Sequence, residues 1–372
     1  MFWIYGIIFF GISIGSISVS DISLIMLTGL SIYKNSKIRF SKKLYWYIGF
    51  LGMMLVPFIL YRGEQYFDTN EYILSMIKVI FYFVCYVIIP QYLEMDMPKL
   101  YSIILNIVRF TTFLGFYQIL DYYVPINLYS GYSEKMSLSY GIFRFSSVYS
   151  EPSLFFFTIM LYFYLLFQKY NKMKRIDHVA VFAAALLTVS MTVYIIYVAG
   201  VLIYYYKKTN GKINIKVLMI LLVLVIGCIV LYSMVPIVQT HINNLLSLRK
   251  SSATTRVLGW WEYIMKAPFW GIGAGNEVNY FVTNLYGDMK LFSTAGVLNN
   301  ILGVVIVYSG VVGVIFFLVY LLSTYCKICW DFLLLFFVSF FAWGHFNTAA
   351  FCSLFILLNL MLRERMKCYF DM

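Results

Sequence analysis

Long uncharged apolar runs recur along this chain, and they restrict its fold more than any other feature. Runs such as 44–61, 178–206 and 298–322 approach or exceed the roughly 20 residues that an α-helix needs to cross the ~30 Å hydrocarbon layer of a bilayer. Residues outside these runs do not restore a soluble balance. The whole chain is 62% hydrophobic and 12% charged, where soluble domains carry roughly 45–50% and 25%. A soluble nucleotide-binding enzyme, a disordered chain, collagen and a disulfide scaffold are excluded. An outer-membrane barrel is excluded too, because its strands would alternate apolar and polar residues. The expected fold is all-α, a polytopic integral membrane helical bundle.

Charge then orients the bundle. Lys and Arg number 28 against 16 Asp and Glu, a net +12. The cations cluster in short loops, as cytoplasmic loops do, so the excess reads as topology and not as nucleic-acid binding. Segments 34–43, 169–177, 207–216 and the tail from Arg363 are therefore expected inside. The acidic segments 64–71 and 121–134, and the long stretch 236–297, are expected outside. Segment 178–206 is basic at both flanks, which requires two short passes with a break at 188–192. Segment 332–361 breaks likewise at Trp343-Gly344-His345, and 1–33 near Ser16–Asp21. Such half-length helices are allowed where their turn is buried in protein or lines a wet cavity.

The result is about 12 crossings, expected at 1–16, 20–33, 44–61, 73–91, 100–121, 150–168, 178–190, 191–206, 217–235, 298–322, 332–343 and 345–361. Three regions follow: an N-terminal bundle 1–235 with an external loop 122–149, one large external loop 236–297, and C-terminal helices with a short tail, 298–372.

Few residues in such a chain carry chemistry. Cys326-Lys327-Ile328-Cys329 is a lone pair without the further ligands zinc requires, so no metal and no cofactor is expected. Gly271-Ile272-Gly273-Ala274-Gly275 lacks the preceding strand and the lysine of a nucleotide loop. It reads as a glycine turn where the chain re-approaches the membrane. Arg109 and Lys78 fall inside apolar helices, where an ionised group is a functional candidate by default. The plainer alternative is that Arg109 pairs with a buried acid or snorkels.

Arg144 precedes Ser150-Glu151-Pro152-Ser153. Pro152 suits the first turn of a helix, Ser150 its N-cap, and Glu151 the positive end of its dipole. A simple capping role is the alternative. Arg249, Lys250 and Arg256 sit outside against the positive-inside bias, which points to an anionic partner rather than the alternative of a solvated basic face; a guanidinium fork suits phosphate oxygens. Trp260 and Trp261 follow, and the glycine turn ends in Asn276. His345 is embedded in an apolar run, as a structural hydrogen-bonder or as a base.

With these residues assembled, the chain resembles the O-antigen polymerase (Wzy-type) family within the O-antigen polymerase and ligase superfamily. The likeness rests on Arg144 with the Ser-Glu-Pro-Ser of 150–153, on Arg256, Trp260 and Pro268-x-x-Gly271-x-Gly273-x-Gly275-Asn276, and on the helical frame with a break near Ser190. The family's Ser-Arg turn is Ser190-Met191 here. Leu298-Asn299-Asn300 lacks the histidine of ligase members, which favours the polymerase.

The resemblance implies a metal-independent glycosyltransferase in the inner (plasma) membrane with its active site facing outward. It would join undecaprenyl-pyrophosphate-linked oligosaccharide repeat units, with a flippase and a chain-length regulator of the same pathway as partners. Arg144 and Arg256 would offset charge on the leaving pyrophosphate, with Arg249 or Lys250 assisting. Glu151 or His345 would accept the acceptor proton, and Trp260 and Trp261 would stack on sugars. An O-antigen ligase and a lipid-linked oligosaccharide flippase are the alternatives.

Overall fold

The computed structural model describes residues 2–8, 13–14, 17–34, 41–124, 138–139, 142–143, 147–149, 152–211, 265–285, 300–340 and 348–370, with positions 233, 239, 243, 247 and 261. Among these residues the chain is helical apart from turns and two short antiparallel ladders, Ser13–Ile14 with Ile17–Ser18 and Leu138–Ser139 with Ile142–Phe143. After a 3-10 segment, Phe2–Ile8, come α1 (Val19–Lys34), α2 (Leu44–Tyr61), α3 (Thr69–Leu93) and α4 (Met97–Tyr123). A 3-10 turn, Pro152–Phe155, leads into α5 (Phe156–Phe167), followed by α6 (Arg175–Leu187), α7 (Met191–Lys208), α8 (Ile301–Ser339) and α9 (Ala349–Phe370).

Local chemistry sets several of these starts. The Asp68 carboxylate accepts from the N–H groups of Asn70 and Glu71 at 2.8 and 3.2 Å, and Asp96 accepts from Lys99 N–H. These are N-caps that satisfy donors with no partner inside the helix. Asn300 does the same for Gly303 at the head of α8.

Three helical stretches among the described residues are long and apolar enough to cross a membrane: Leu44–Tyr61, Thr69–Asp121 and Ile301–Ser339. The second spans 53 residues, about 80 Å if straight, and the 3-10 turn Glu94–Asp96 divides it into α3 and α4. Outward faces carry bare apolar side chains, among them Ile48, Leu55 and Ile59 of α2 and Leu74 and Ile77 of α3. A coat of this kind is stable against lipid rather than water.

The expected span 44–61 coincides with α2, and the expected break at 188–192 falls where α6 ends at Leu187 and α7 begins at Met191. The described helices do not reach the expected twelve spans. α5 and α6 have 12 and 13 residues, below the usual crossing length. The segment expected as a helix over 1–16 is a seven-residue 3-10 turn, Phe2–Ile8, and a short strand, Ser13–Ile14, where described, and 217–235 lies outside the described residues apart from position 233.

α8 departs most from expectation. Its 39 residues would extend about 58 Å if straight, yet Ile301 N–H donates to Phe340 C=O at 3.0 Å. Two non-helical residues allow its ends to meet, Gly310 (φ 68°, ψ −176°) and Cys329 (φ −121°, ψ 29°). The expected crossing 298–322 is therefore broken at Gly310. The meeting point is packed with phenylalanine: Phe340 touches the rings of Phe317, Phe336 and Phe351.

One end of the bundle is laced with charge. Asp331, fully buried, accepts from Lys207 Nζ at 2.5 Å and from both Arg365 Nη atoms at 2.7 and 2.8 Å. Arg365 also donates to the carbonyls of Ile328 and Phe167. The first is released by the break at Cys329, and the second is an orphan of the α5 C-terminus. Glu94 takes Arg363 and Lys367, Glu364 takes Tyr101 and Gln168, and Lys43 donates to the Ser323 carbonyl. Among the described residues, Lys43, Lys207 and the Arg363–Lys367 stretch, all from segments expected to be cytoplasmic, meet at this end.

Candidate active site at the inner helix ends

Three helices run parallel from a common level toward the charged end. Gly200 of α7 lies against the Phe163 ring of α5, and Lys207 donates to Phe167 C=O. These contacts fix α5 and α7 in parallel, with α7 beside the Pro152–Phe155 turn. α9 aligns with α5 in the same sense, because Phe157 and Leu161 share a cavity wall with Ser353 and Leu357, while Gln168 meets Glu364. The starts of α5, α7 and α9 therefore share one level inside the protein. The start of α8 joins them through the Ile301–Phe340 bond and the Phe340–Phe351 contact. Each helix start carries roughly half a positive charge from its aligned peptide dipoles, so this level suits an anion.

The turn before α5 is anchored at this depth. Ser147 N–H donates to Gln118 Oε1 at 2.8 Å, and Gln118 Nε2 donates back to Ser147 C=O at 2.7 Å. Ser147 Oγ donates to Thr111 C=O at 2.5 Å. Tyr149 and Thr158 share a hydroxyl bond, and Thr158 donates to Thr111. Ser147 has φ 61°, a left-handed conformation uncommon for a side-chain-bearing residue. The Gln118 amide holds both of its backbone polar groups in place. In sequence this turn lies between Arg144 and Glu151. The break between α6 and α7 is equally tight, with Val189 at φ 45° and Thr188 Oγ1 donating to Ala185 C=O.

At the opposite end from the charge network, the glycine turn docks on α3 and α8. Gly271, Gly273 and Gly275 have φ of 82°, 87° and 83°. Ile272 N–H donates to Val307 C=O at 2.7 Å, and Val311 N–H donates to Phe269 C=O at 3.1 Å. Asn276 is fully buried, and its Oδ1 accepts from Asp68 N–H at 2.7 Å. Its Nδ2 has no partner among the described residues, and neither does Asn300 Nδ2 at the head of α8.

The next residue, Glu277, accepts from Tyr308 Oη at 3.1 Å. Burial pushes its carboxyl above the ordinary carboxylate range and the nearby Glu71 adds to the rise, against the lowering bonds from Tyr308 and backbone N–H groups. A buried carboxyl whose pKa is raised by desolvation favours its protonated form more than a solvated one does. Glu277 is inconspicuous in sequence, because a glutamate opening the helical turn Glu277–Tyr280 looks like an ordinary dipole-stabilising residue. Its position directly after Asn276 in the glycine turn was the available signal.

The remaining candidates divide. Arg109 makes a two-bond fork with Asp177, Nε and Nη2 each at 2.8 Å, and Asp177 also accepts from Lys174 N–H. Helix side chains lean toward their own N-terminus, so Arg109 reaches back toward the charged end. This is the pairing alternative recognised from sequence, and it holds the guanidinium away from the glycine turn. Lys78 lies exposed on α3, and Trp261 is exposed. Arg144, Glu151, Arg249, Lys250, Arg256, Trp260 and His345 lie outside the described residues.

The chain matches no protein-family model, no curated protein and no solved structure.

Proposed function

We propose that this chain is a polysaccharide polymerase, an O-antigen or capsule glycosyltransferase. It would join lipid-pyrophosphate-linked repeat units at the outer face of the inner membrane. The observation that carries this reading is the shared level of the four helix starts. A group of positive dipole ends inside a membrane bundle favours a bound anion, and pyrophosphate is the leaving group of this reaction. In sequence, Arg144 and Glu151 precede the start of α5, and His345 precedes the start of α9.

In this mechanism the acceptor sugar hydroxyl attacks the anomeric carbon of the donor glycan. His345 or Glu151 takes the hydroxyl proton as the glycosidic bond forms. The bond from the anomeric carbon to the pyrophosphate oxygen breaks, and Arg144, Arg256 and the dipole ends stabilise the departing charge. His345, set in an apolar run of the sequence, would be neutral and able to accept a proton, while Glu151 would orient the acceptor or pair with Arg144. The charged end would face the cytoplasm and the glycine turn the outside, within about 12 spans.

The test is polymer formation by the purified protein from lipid-linked repeat units. Arg144→Ala and Arg256→Ala should collapse chain length at unchanged protein abundance, with Arg→Lys restoring it only in part. Glu151→Gln and His345→Gln measured across pH decide the base. Normal polymer from both alanine variants would overturn the proposal. Transfer of glycan to a lipid A acceptor would point to a ligase, and lipid movement without bond formation to a flippase.

A further inference from the structure

The turn after α5 and the end of α7 enclose a cavity of about 570 Å³ that the proposed polymerase chemistry does not use. Its polar lining is Lys169, Lys207 and Lys208 with Asn171, Asn210 and His178, and it contains no carboxylate. The nearest acids are already engaged: Asp331 by Lys207 and Arg365, and Asp177 by Arg109. Lys207 is thus shared with Asp331, and Lys169 is close enough to repel it. Lys208 lies 6.0 Å over the Tyr204 ring. The cavity therefore concentrates positive charge with no acid on its walls, an arrangement that favours an anion.

The surroundings indicate how that anion is presented. Leu166 and Met173 form an apolar wall of the same cavity. Beside it, an adjoining hollow that shares Lys207 and Asn210 is flanked by Tyr206 and Trp330, whose rings meet edge-on at 5.7 Å. Tyrosine and tryptophan concentrate at the boundary between lipid and water. Basic pockets between membrane helices at that boundary accept phosphate headgroups.

We infer that this cavity binds the phosphate of an anionic phospholipid, held by Lys169 and Lys208 with Asn171 and Asn210 as hydrogen-bond donors.

The full-length protein, titrated with phosphatidylglycerol or phosphatidylcholine in mixed micelles and followed by native mass spectrometry, tests this. Phosphatidylglycerol should bind in preference to phosphatidylcholine. Lys169→Gly and Lys208→Gln should each weaken it about five-fold, and together about 25-fold. Lys169 has φ 53°, a conformation that glycine adopts freely, so Lys169→Gly removes the ammonium without a backbone penalty. Lys42→Gln, an exposed lysine elsewhere at the charged end, should leave binding unchanged. Equal affinity for the two lipids, or equal losses in Lys42→Gln, would overturn the inference. Inorganic phosphate displacing the lipid at equal concentration would overturn the lipid as source and assign a soluble phosphate to the cavity.

Discussion

Replacing Gly310 with alanine should be among the most damaging single-methyl additions in this protein. Gly310 adopts φ 68° and ψ −176°, a region essentially restricted to glycine, and forcing another residue there costs about 1–3 kcal/mol. A Cβ at this position would lie 2.3 Å from Phe269 O and 2.6 Å from Trp270 C. Both are backbone atoms, so the glycine turn must move away. That movement breaks the Val311–Phe269 and Ile272–Val307 hydrogen bonds, each contributing about 0.5–1.5 kcal/mol. Strain and lost bonds together give roughly 4 kcal/mol. Gly52→Ala is the matched control, since nothing lies within 4 Å of its added Cβ and alanine in a helix is favoured by up to about 1 kcal/mol. Reversible unfolding by SDS in mixed micelles measures both. A Gly310→Ala variant within about 1 kcal/mol of the parent would refute the argument that this close approach holds the turn to α8.

Asp331→Asn should destabilise by about 3–5 kcal/mol in the same assay, because it leaves Lys207 and Arg365 half-buried without their counter-charge. Gln118→Leu strands two buried backbone groups of Ser147 at about 1–3 kcal/mol each; on the proposed polymerase reading it should shorten the polymer, and full-length product would contradict the anchoring role of the clamp. Glu277 has a folded-state pKa raised by burial, so the folded protein binds its proton more tightly than the unfolded chain does. Its contribution to stability is therefore complete below the unfolded value near ~4.3 and is lost as pH rises through the folded value. Glu277→Gln should flatten that decline in unfolding midpoint measured from acid to neutral pH.

What the sequence disclosed and what it concealed have physical causes. α2 was legible to the residue because an uncharged run is bounded by Lys43 and Arg62. The α6–α7 break was legible because basic flanks on both sides of one apolar run admit no single crossing. Gly310 was not, since a glycine in Val-Tyr-Ser-Gly-Val-Val looks like any small residue of a membrane helix. Its conformation is imposed by Phe269 and Trp270 from a distant turn. The partner of Arg109 was hidden for the same reason, because Asp177 reaches it only through the packing of α6 on α4. Within the candidate site, sequence marked Asn276 but not the Ser147–Gln118 clamp, whose members are ordinary polar residues until the fold brings them together.

The bond between Ile301 and Phe340 also bears on how the protein is made. The stretch from Ile301 to Ser309 leaves the ribosome first, and it is too short to span a bilayer by itself. Its first N–H finds its acceptor only after the rest of the 39-residue helix has been synthesised. Until then this piece must wait beside the growing chain without a settled place. The head of α8 is thus completed only after Phe340 has been synthesised.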